Sequence, residues 1–197
     1  MKLPEPRKSG GMSLTQALND RRSIRTYAET PLSLADVAQL LWSASGVTSP
    51  EGYRTTPSAG ATFPLETYLV AGTVDGLAAG VYRYEPATHD LALTAPGDVR
   101  AELAAACMNQ ACVATCAAAI LFGAVFERTT AKYGDMGRDF VLIEAGHAAQ
   151  NVSLQAQALN LGAVAIGALD EQRLKPLAVM GENEKAIYMM VFGKPTP

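Results

Sequence analysis

The chain lacks several features that would assign it at once to a class of protein. Its 197 residues include only 3 cysteines, and this small odd number argues against a disulfide framework. A formal net charge of -3 does not indicate binding to nucleic acid or to an anionic membrane, since both attract positively charged proteins. The longest apolar run, residues 117–126, is too short to span a bilayer. The N-terminus has no apolar signal core, so we expect a cytoplasmic protein.

What the chain does contain is enough apolar sequence for one folded domain, since 49% of its residues are hydrophobic. Residues 1–11 are rich in Pro, Gly and Lys, and we predict that they form an extended or mobile arm before a single domain over residues 12–197. Helix and strand patterns intermix without a regular β-α-β alternation, and no internal repeat is visible. The sequence therefore predicts an α+β fold.

The periodicity and the capping residues place the individual elements. Helices are predicted after Ser13, from Ser33 to about Gly46, over 99–108 and the Ala-rich stretch that follows, over 138–159 and over 171–177. Strands are predicted over 67–71, 81–84, 91–94, 119–126, 163–168 and 187–192. Residues 47–64 are rich in hydroxyls, prolines and glycines and are predicted to form an ordered loop.

No metal site is predicted. Cys107, Cys112 and Cys116 lie four to five residues apart in the Ala-rich stretch, and we interpret them as small core residues. Cys112 and Cys116 would share a helix face, but two further zinc ligands are missing nearby. His89 and His147 are too far apart in sequence to indicate a shared metal.

Positive charge is concentrated directly after the first predicted helix. Arg21, Arg22, Ser23 and Arg25 place three guanidiniums and a hydroxyl within five residues. Guanidiniums bind phosphate through two parallel hydrogen bonds, and a neighbouring hydroxyl can donate to the same oxygens. The segment therefore indicates an anion site, with a solvated basic turn as the alternative.

Four further motifs follow the arginines in a fixed order, at residues 54–66, 143–151, 162–168 and 191–195. Together the five motifs resemble the nitroreductase superfamily of flavin enzymes, and within it the branch that includes the thiazoline and oxazoline dehydrogenases of peptide modification. The resemblance covers residues 12–195. It implies a central mixed or antiparallel sheet flanked by helices, an FMN cofactor and a homodimer.

Carried over by position, the resemblance gives each cationic residue a role. Arg21 and Ser23 would hold the FMN phosphate, and Arg25 would reach the pyrimidine edge of the flavin ring. Arg22 would join this clamp or point to solvent. Lys194 would complete the clamp, with a solvated tail lysine as the alternative.

Two segments would approach the flavin ring through small residues. The resemblance makes Pro57, Ser58, Ala59 and Gly60 a loop that contacts the flavin, although an ordinary turn has the same composition. At Ile166 and Gly167 the family brings a backbone N–H to the flavin N5 atom, and a strand glycine can also mark a bulge.

The predicted long helix contains a polar and small-residue face. Glu144, His147 and Asn151 share one side at spacings of three and four residues, while Gly146 and Ala149 permit close packing. The resemblance implies that this helix packs against its copy in a homodimer. A polar network buried inside one subunit is the alternative for His147.

Lys132 and Tyr133 resemble the Lys-Tyr pair of the azoline dehydrogenases, where it is linked to proton removal, so they are the candidate catalytic residues. A buried Lys or a Tyr can serve as a base, although an isolated Lys-Tyr pair also suits a surface. One departure concerns Asp139 and Phe140, where related sequences often carry Arg-Tyr.

The first functional interpretation is an FMN-dependent oxidoreductase that transfers hydride through flavin N5 in a ping-pong reaction, with NAD(P)H as the reductant and a small molecule as the acceptor. No Gly-x-Gly-x-x-Gly follows a predicted strand, so a nicotinamide would have to visit an open flavin site. An azoline dehydrogenase acting on a modified peptide and a non-catalytic flavin-binding protein are the alternatives.

Overall fold

The computed structural model describes residues 1–196, and Pro197, the last residue of the predicted domain, lies outside them. The centre is a sheet of six strands, β1 (Leu65–Ala71), β2 (Gly80–Glu85), β3 (Asp90–Pro96), β4 (Ala118–Ala124), β5 (Gly162–Ile166) and β6 (Lys185–Gly193). Their order across the sheet is β3-β2-β1-β4-β6-β5, and each neighbouring pair is antiparallel.

Helices cover both faces of this sheet. They are α1 (Leu14–Asp20), α2 (Leu34–Ser45), α3 (Arg100–Ala106), α4 (Ala111–Ala114), α5 (Glu127–Tyr133), α6 (Met136–Ala158) and α7 (Glu171–Ala178). The mixture of helix and antiparallel sheet confirms the α+β prediction.

Successive side chains on the central strands point to opposite faces of the sheet, and this divides the core into two layers. Leu69 and Ile120 point to the layer that holds α2 and α6. Tyr68 and Leu121, one residue away on the same strands, point to the layer that holds α3, α4 and α7. Both faces of β1 and β4 are therefore buried, which explains why β4 is continuously apolar.

Side-chain caps begin the first two helices, as the sequence predicts. Ser13 accepts a hydrogen bond from the Gln16 N–H at 3.2 Å, and Ser33 accepts one from the Asp36 N–H at 3.1 Å. Each bond satisfies a backbone donor that the first helical turn leaves free. The α1 cap matters for the site because α1 ends directly before the arginines.

The Ala-rich stretch is less helical than predicted. Helix α4 ends at Ala114, so the expectation that Cys112 and Cys116 share a helix face is wrong: Cys116 follows the helix and leads into β4. All three cysteines are free and buried, which confirms their interpretation as core residues. Burial raises the pKa of the Cys107 thiol to about 11.

The N-terminal arm lies against the body of the protein. Leu3 is only 3% exposed, and its N–H donates to the His89 carbonyl at 3.1 Å. The Pro4 carbonyl contacts His89 Nε2 at 2.9 Å, and the backbone of Arg7 exchanges hydrogen bonds with the Gln39 amide. One buried leucine and backbone contacts with the β2–β3 hairpin thus hold the first residues of the arm, and Gln39 of α2 holds Arg7.

Candidate functional site

The arginine segment runs along the outer edge of β5. The Ile24 N–H donates to the Ala163 carbonyl at 3.0 Å, and Ser23 forms a parallel bridge with the same residue. A side chain at Gly162 would lie 2.7 Å from the Ile24 Cγ2 atom, so this glycine permits the close approach. Because β5 is an edge strand, the segment uses backbone groups that would otherwise be free.

The end of β6 brings Lys194 to the same edge. The Ala28 N–H donates to the Lys194 carbonyl at 2.9 Å, which ties the residues after the arginines to the end of the strand. The Lys194 ammonium lies 3.7 Å from the Asp36 carboxylate, a loose contact between partly exposed groups. Lys194 therefore keeps donors that a ligand can use.

The cations of this segment differ in their partners. The Arg22 guanidinium donates to the carbonyls of Asn19 and Arg21, at 2.9 and 2.8 Å, and is exposed. Within residues 1–196, the Arg21 and Arg25 side chains have neither an ion pair nor a hydrogen bond, and the Ser23 hydroxyl is likewise unbonded. Two free guanidiniums, a hydroxyl and a loosely paired lysine suit a phosphate.

Ile166 is the last residue of β5, at the other end of the same strand, and Gly167 follows it. Ile166 is buried at 2% exposure, whereas Gly167 is exposed. A side chain at Gly167 would meet only the Tyr188 ring, at 3.6 Å. The backbone after β5 is thus open for a ligand to approach.

The loop over 57–60 is fixed to α2 and α6 rather than to β5. The Thr56 hydroxyl donates to the Ala44 carbonyl at 2.7 Å, and the Asn151 amide donates to both Thr55 and Thr56. The Ser58 hydroxyl oxygen accepts a hydrogen bond from the Phe63 N–H at 2.9 Å. These contacts confirm the prediction of an ordered loop and explain the polar residue Asn151 on the long helix.

Helix α5, which the sequence pattern does not reveal, brings Lys132 and Tyr133 to this loop. The Lys132 ammonium donates to the Gly60 carbonyl at 3.3 Å. Gly60 has a φ of 58°, and a side chain there would lie 2.5 Å from the Tyr133 hydroxyl oxygen. The Tyr133 ring packs edge-on against Phe140, with ring centroids 5.2 Å apart.

A pocket of about 250 Å³ lies between the loop and α6. We call it the loop pocket, and its lining residues are Pro57, Ser58, Ala59, Phe140, Ile143, Glu144 and His147. Most of these side chains are apolar, and His147 is exposed rather than buried in a network. Phe140 lines the pocket at the second position of the predicted departure, where related sequences often carry the Tyr of Arg-Tyr. This wall of the pocket is therefore apolar.

Sequence reasoning missed the electrostatic environment of Glu144. This carboxyl is 5% exposed, and its burial raises the pKa to about 7, against the opposing effects of Ser58 and Arg54. Arg54 lies over the Phe63 ring at 4.3 Å, and burial lowers the pKa of its guanidinium. The signal was present in the sequence, because Glu144 is a charged residue between Ile143 and Ala145 on the predicted helix.

The arginine segment and the loop pocket lie in different parts of one protomer. Strand β1, which the loop enters, is three strands away from β5, or about 14 Å across the sheet. Ser23 pairs at the start of β5, which is level with the Ala71 end of β1, whereas the loop precedes Leu65 at the opposite end. The predicted flavin contacts thus form two groups in a single chain.

The small residues of α6 do not lie on one surface. Ala149 is 4% exposed and packs into the core of its own protomer, so the expectation that Gly146 and Ala149 form one contact face is wrong. Gly146 is exposed with no atom near its Cβ position. The free surface of α6 carries Met136, Leu142 and Ile143, each more than half exposed.

In the described residues no helix has the length and the apolar character needed to cross a membrane.

Comparisons with known proteins agree with this architecture. A putative nitroreductase of Methanocaldococcus jannaschii is 40% identical over 183 residues, which are 93% of this chain and 91% of that protein. The crystal structure of a putative nitroreductase from Ralstonia eutropha JMP134 is 30% identical, with a TM-score of 0.87, over 100% of this chain and 89% of that one.

Two more distant structures share the fold. The NADPH:FMN oxidoreductase of Vibrio harveyi has a TM-score of 0.68 at 19% identity, over 93% of this chain and 69% of that one. The Escherichia coli microcin synthetase complex has a TM-score of 0.75 at 21% identity, over 100% of this chain and 79% of the matched chain. The nitroreductase family model matches residues 18–194, and the chain belongs to the nitroreductase family.

Proposed function

We propose that this protein is an FMN-dependent oxidoreductase that uses NAD(P)H as its reductant and a small molecule as its acceptor, in a ping-pong reaction. The observation that carries the proposal is the pair of free guanidiniums on Arg21 and Arg25, in a segment whose backbone pairs with the edge strand β5 and, at Ala28, with Lys194. Membership of the nitroreductase family and the fold shared with an NADPH:FMN oxidoreductase support a flavin there.

The donor set fits the charges of FMN. Arg21, Ser23 and Lys194 would hold the phosphate, because each has hydrogen-bond donors available to a ligand. Arg25 would lie toward the pyrimidine edge, where a cation stabilises negative charge. Arg22 already donates to two carbonyls, so we assign it a minor part.

When bound, FMN supplies two-electron hydride chemistry that no side chain of the protein can perform. The protein's own contribution is to hold and to shield the ring. Exposed Gly167 leaves its backbone accessible at the end of β5, and the loop over 57–60 offers a stiff surface that backbone contacts fix.

We propose a homodimer because one protomer divides these groups between two surfaces. A ligand that contacts both the arginine segment and a loop over 57–60 would take the loop from a second copy. The exposed apolar side chains of α6, among them Leu142 and Ile143, provide a surface for that copy.

An azoline dehydrogenase is the second candidate, and the position of Lys132 and Tyr133 favours it. Both side chains reach Gly60 and so stand beside the proposed flavin surface, where a base for proton removal is needed. The shared fold with the microcin synthetase complex, whose structure has truncated pro-MccB17 bound, gives further support. Oxidation of an azoline-containing peptide by the flavin-loaded protein would establish this function.

The absorption spectrum of the purified protein tests the proposal, followed by identification of the released flavin by mass. We expect FMN, and we expect NADH or NADPH to bleach its visible bands anaerobically. A bound flavin that neither reductant bleaches would instead indicate a non-catalytic flavin-binding protein. Protein that binds no flavin would contradict the proposal entirely.

A further inference from the structure

A buried histidine in the turn of the β2–β3 hairpin contacts the N-terminal arm. His89 directly precedes β3 and is 8% exposed. Its Nε2 atom lies 2.9 Å from the Pro4 carbonyl oxygen, and its Nδ1 atom lies 2.8 Å from the Tyr84 hydroxyl oxygen. Because Tyr84 is only 1% exposed, the imidazole connects the arm to a side chain of the core.

The partners of the two ring nitrogens assign the protonation state of His89. A carbonyl oxygen can only accept a hydrogen bond, so Nε2 carries the hydrogen of a neutral ring. Nδ1 is then an acceptor, and the Tyr84 hydroxyl donates to it. Burial raises the pKa of Tyr84, so its hydroxyl keeps this hydrogen at neutral pH. The arm is therefore held by a neutral imidazole.

Protonation of Nδ1 would break the contact with Tyr84. Both ring nitrogens would then be donors, and the hydrogen of the Tyr84 hydroxyl would lose its acceptor. Within residues 1–196 this hydroxyl has no hydrogen-bond partner other than His89. A buried donor without an acceptor and a buried positive charge are both unfavourable. Burial accordingly lowers the pKa of His89 while the arm is in place.

The charged groups near His89 and Tyr84 come from the arm, from β3 and from the loop before β1. They are the Met1 ammonium, Lys2, Glu5, Lys8, Asp90 and Arg54. Glu5 and Asp90 favour a charged ring, and Lys2 opposes it. Among residues 1–196, no carboxylate lies within 4 Å of an imidazole nitrogen, so no ion pair offsets the burial.

The arm has little other buried surface to hold it. Leu3 is the only buried residue among residues 1–11. The arm also forms one wall of a cavity of about 330 Å³, through Pro6 and Lys8 among others. The hairpin turn and Trp42 of α2 form other walls. Movement of the arm would therefore open this cavity to solvent.

We propose that His89 is a pH-sensitive latch, in which the neutral imidazole holds the N-terminal arm against the β2–β3 hairpin and protonation releases the arm and opens the cavity beside it. The latch uses no residue of the proposed flavin site. Its action requires neither flavin nor reductant.

Acid favours release because the freed imidazole binds a proton more tightly than the buried one. With the arm released, His89 has the ordinary pKa of about 6.5. Burial lowers that pKa in the closed structure, so the latch contributes its full stability above about pH 6.5 and loses it as the pH falls toward the lowered pKa. We expect the ratio of released to closed arm to rise about five- to tenfold between about pH 7.5 and pH 5.5.

Amide hydrogen exchange measures this ratio residue by residue. The Leu3 N–H donates to the His89 carbonyl at 3.1 Å and the Leu91 N–H donates to the Met1 carbonyl at 2.8 Å, so both amides report the closed arm. Their exchange rates, compared with those of an unstructured peptide at the same pH, give the released fraction. The Ile120 amide in the centre of β4 reports global unfolding and should exchange far more slowly.

Three variants separate the latch from other effects of pH. His89→Gln keeps a donor for the Pro4 carbonyl and removes the titration, so its released fraction should not change with pH. His147→Gln removes the other of the two histidines in the chain and should keep the wild-type dependence. Leu3→Ala removes the buried side chain of the arm, so it should raise the released fraction at every pH and keep the dependence.

The proposal is supported if the released fraction rises with acid in wild type, His147→Gln and Leu3→Ala but not in His89→Gln. The same rise in His89→Gln, or its absence in wild type, would overturn the proposal. Equal exchange of the Leu3 and Ile120 amides would also overturn it, because the arm would then open only when the whole protein unfolds. None of these measurements needs bound flavin, so their failure is distinct from failure of the proposed oxidoreductase activity.

Discussion

Three arginines within five residues differ in what their guanidiniums can do, because they differ in the groups they already contact. Arg22 donates to two backbone carbonyls close to it in sequence. Arg21 and Arg25 have no such partners among the described residues. The sequence shows three equivalent charges, and only the fold reveals which two remain available to an anion.

Arg25→Gln is expected to retain FMN, since Arg21 and Ser23 still hold the phosphate, and to make the flavin harder to reduce. A cation near the ring contributes about 1 to 3 kcal/mol to the reduced form, so the two-electron potential should fall by roughly 20 to 65 mV. Reductive titration against a reference dye measures this potential. An unchanged potential with FMN fully bound would place Arg25 away from the ring.

At the scale of the elements, Gly60 joins two segments that are far apart in the chain. Its φ of 58° and its lack of a side chain allow the loop to pass closely beside Lys132 and Tyr133 of α5. Gly76 has a φ of 74° but no atom near its Cβ position. Comparing alanine substitutions at Gly60 and Gly76 therefore separates the conformational cost of a side chain from its effect on α5.

Gly60→Ala and Gly76→Ala should each lower the free energy of unfolding by about 1 kcal/mol, the cost of a left-handed backbone for alanine. Only Gly60→Ala should weaken FMN binding, since the new methyl group displaces Lys132 and Tyr133 and shifts the loop. Urea unfolding and flavin fluorescence measure the two effects. Equal FMN affinity in both variants would remove the loop from the flavin site.

Periodicity and capping residues predicted most elements to within a few residues, because the central strands and α6 have long buried faces. Helix α5 was missed, since its seven residues are mostly polar and only Thr129 is fully buried. The arm was expected to be extended or mobile, and the sequence did not predict that Leu3 is buried while most of the arm stays exposed. Short elements are fixed by tertiary contacts that a local pattern does not contain.

The sequence predicted some parts of the site and not others, for a similar reason. Sequence motifs located the arginine segment, the loop and the end of β5, but their separation depends on strand order, which no single motif encodes. The role of Ala149 could not be predicted either, since alanine suits both a buried core position and a contact with another helix. Likewise, the raised pKa of Glu144 depends on burial where the loop packs against α6.

For the whole molecule, the proposed dimer depends on the exposed side of α6. Leu142→Arg places a charge on an apolar residue that is 52% exposed, so the protomer should fold as before while the dimer dissociates. Light scattering gives the mass, and circular dichroism serves as the folding control. A wild-type monomer that retains FMN would contradict the dimer. Ala149→Arg is unsuitable for this test, because it would disrupt the core of its own protomer.

The arginine segment is proposed to bind FMN through its phosphate, and a comparison of FMN with riboflavin tests this binding most directly. In calorimetric titrations, wild type should prefer FMN, and Arg21→Ala should lose about 1.5 to 3 kcal/mol of FMN affinity while riboflavin affinity changes little. Arg22→Ala is the matched control and should largely keep the preference, since its guanidinium is bonded to the backbone. Equal losses for both ligands in Arg21→Ala, or equal affinity of wild type for FMN and riboflavin, would show that the arginine segment does not hold the phosphate.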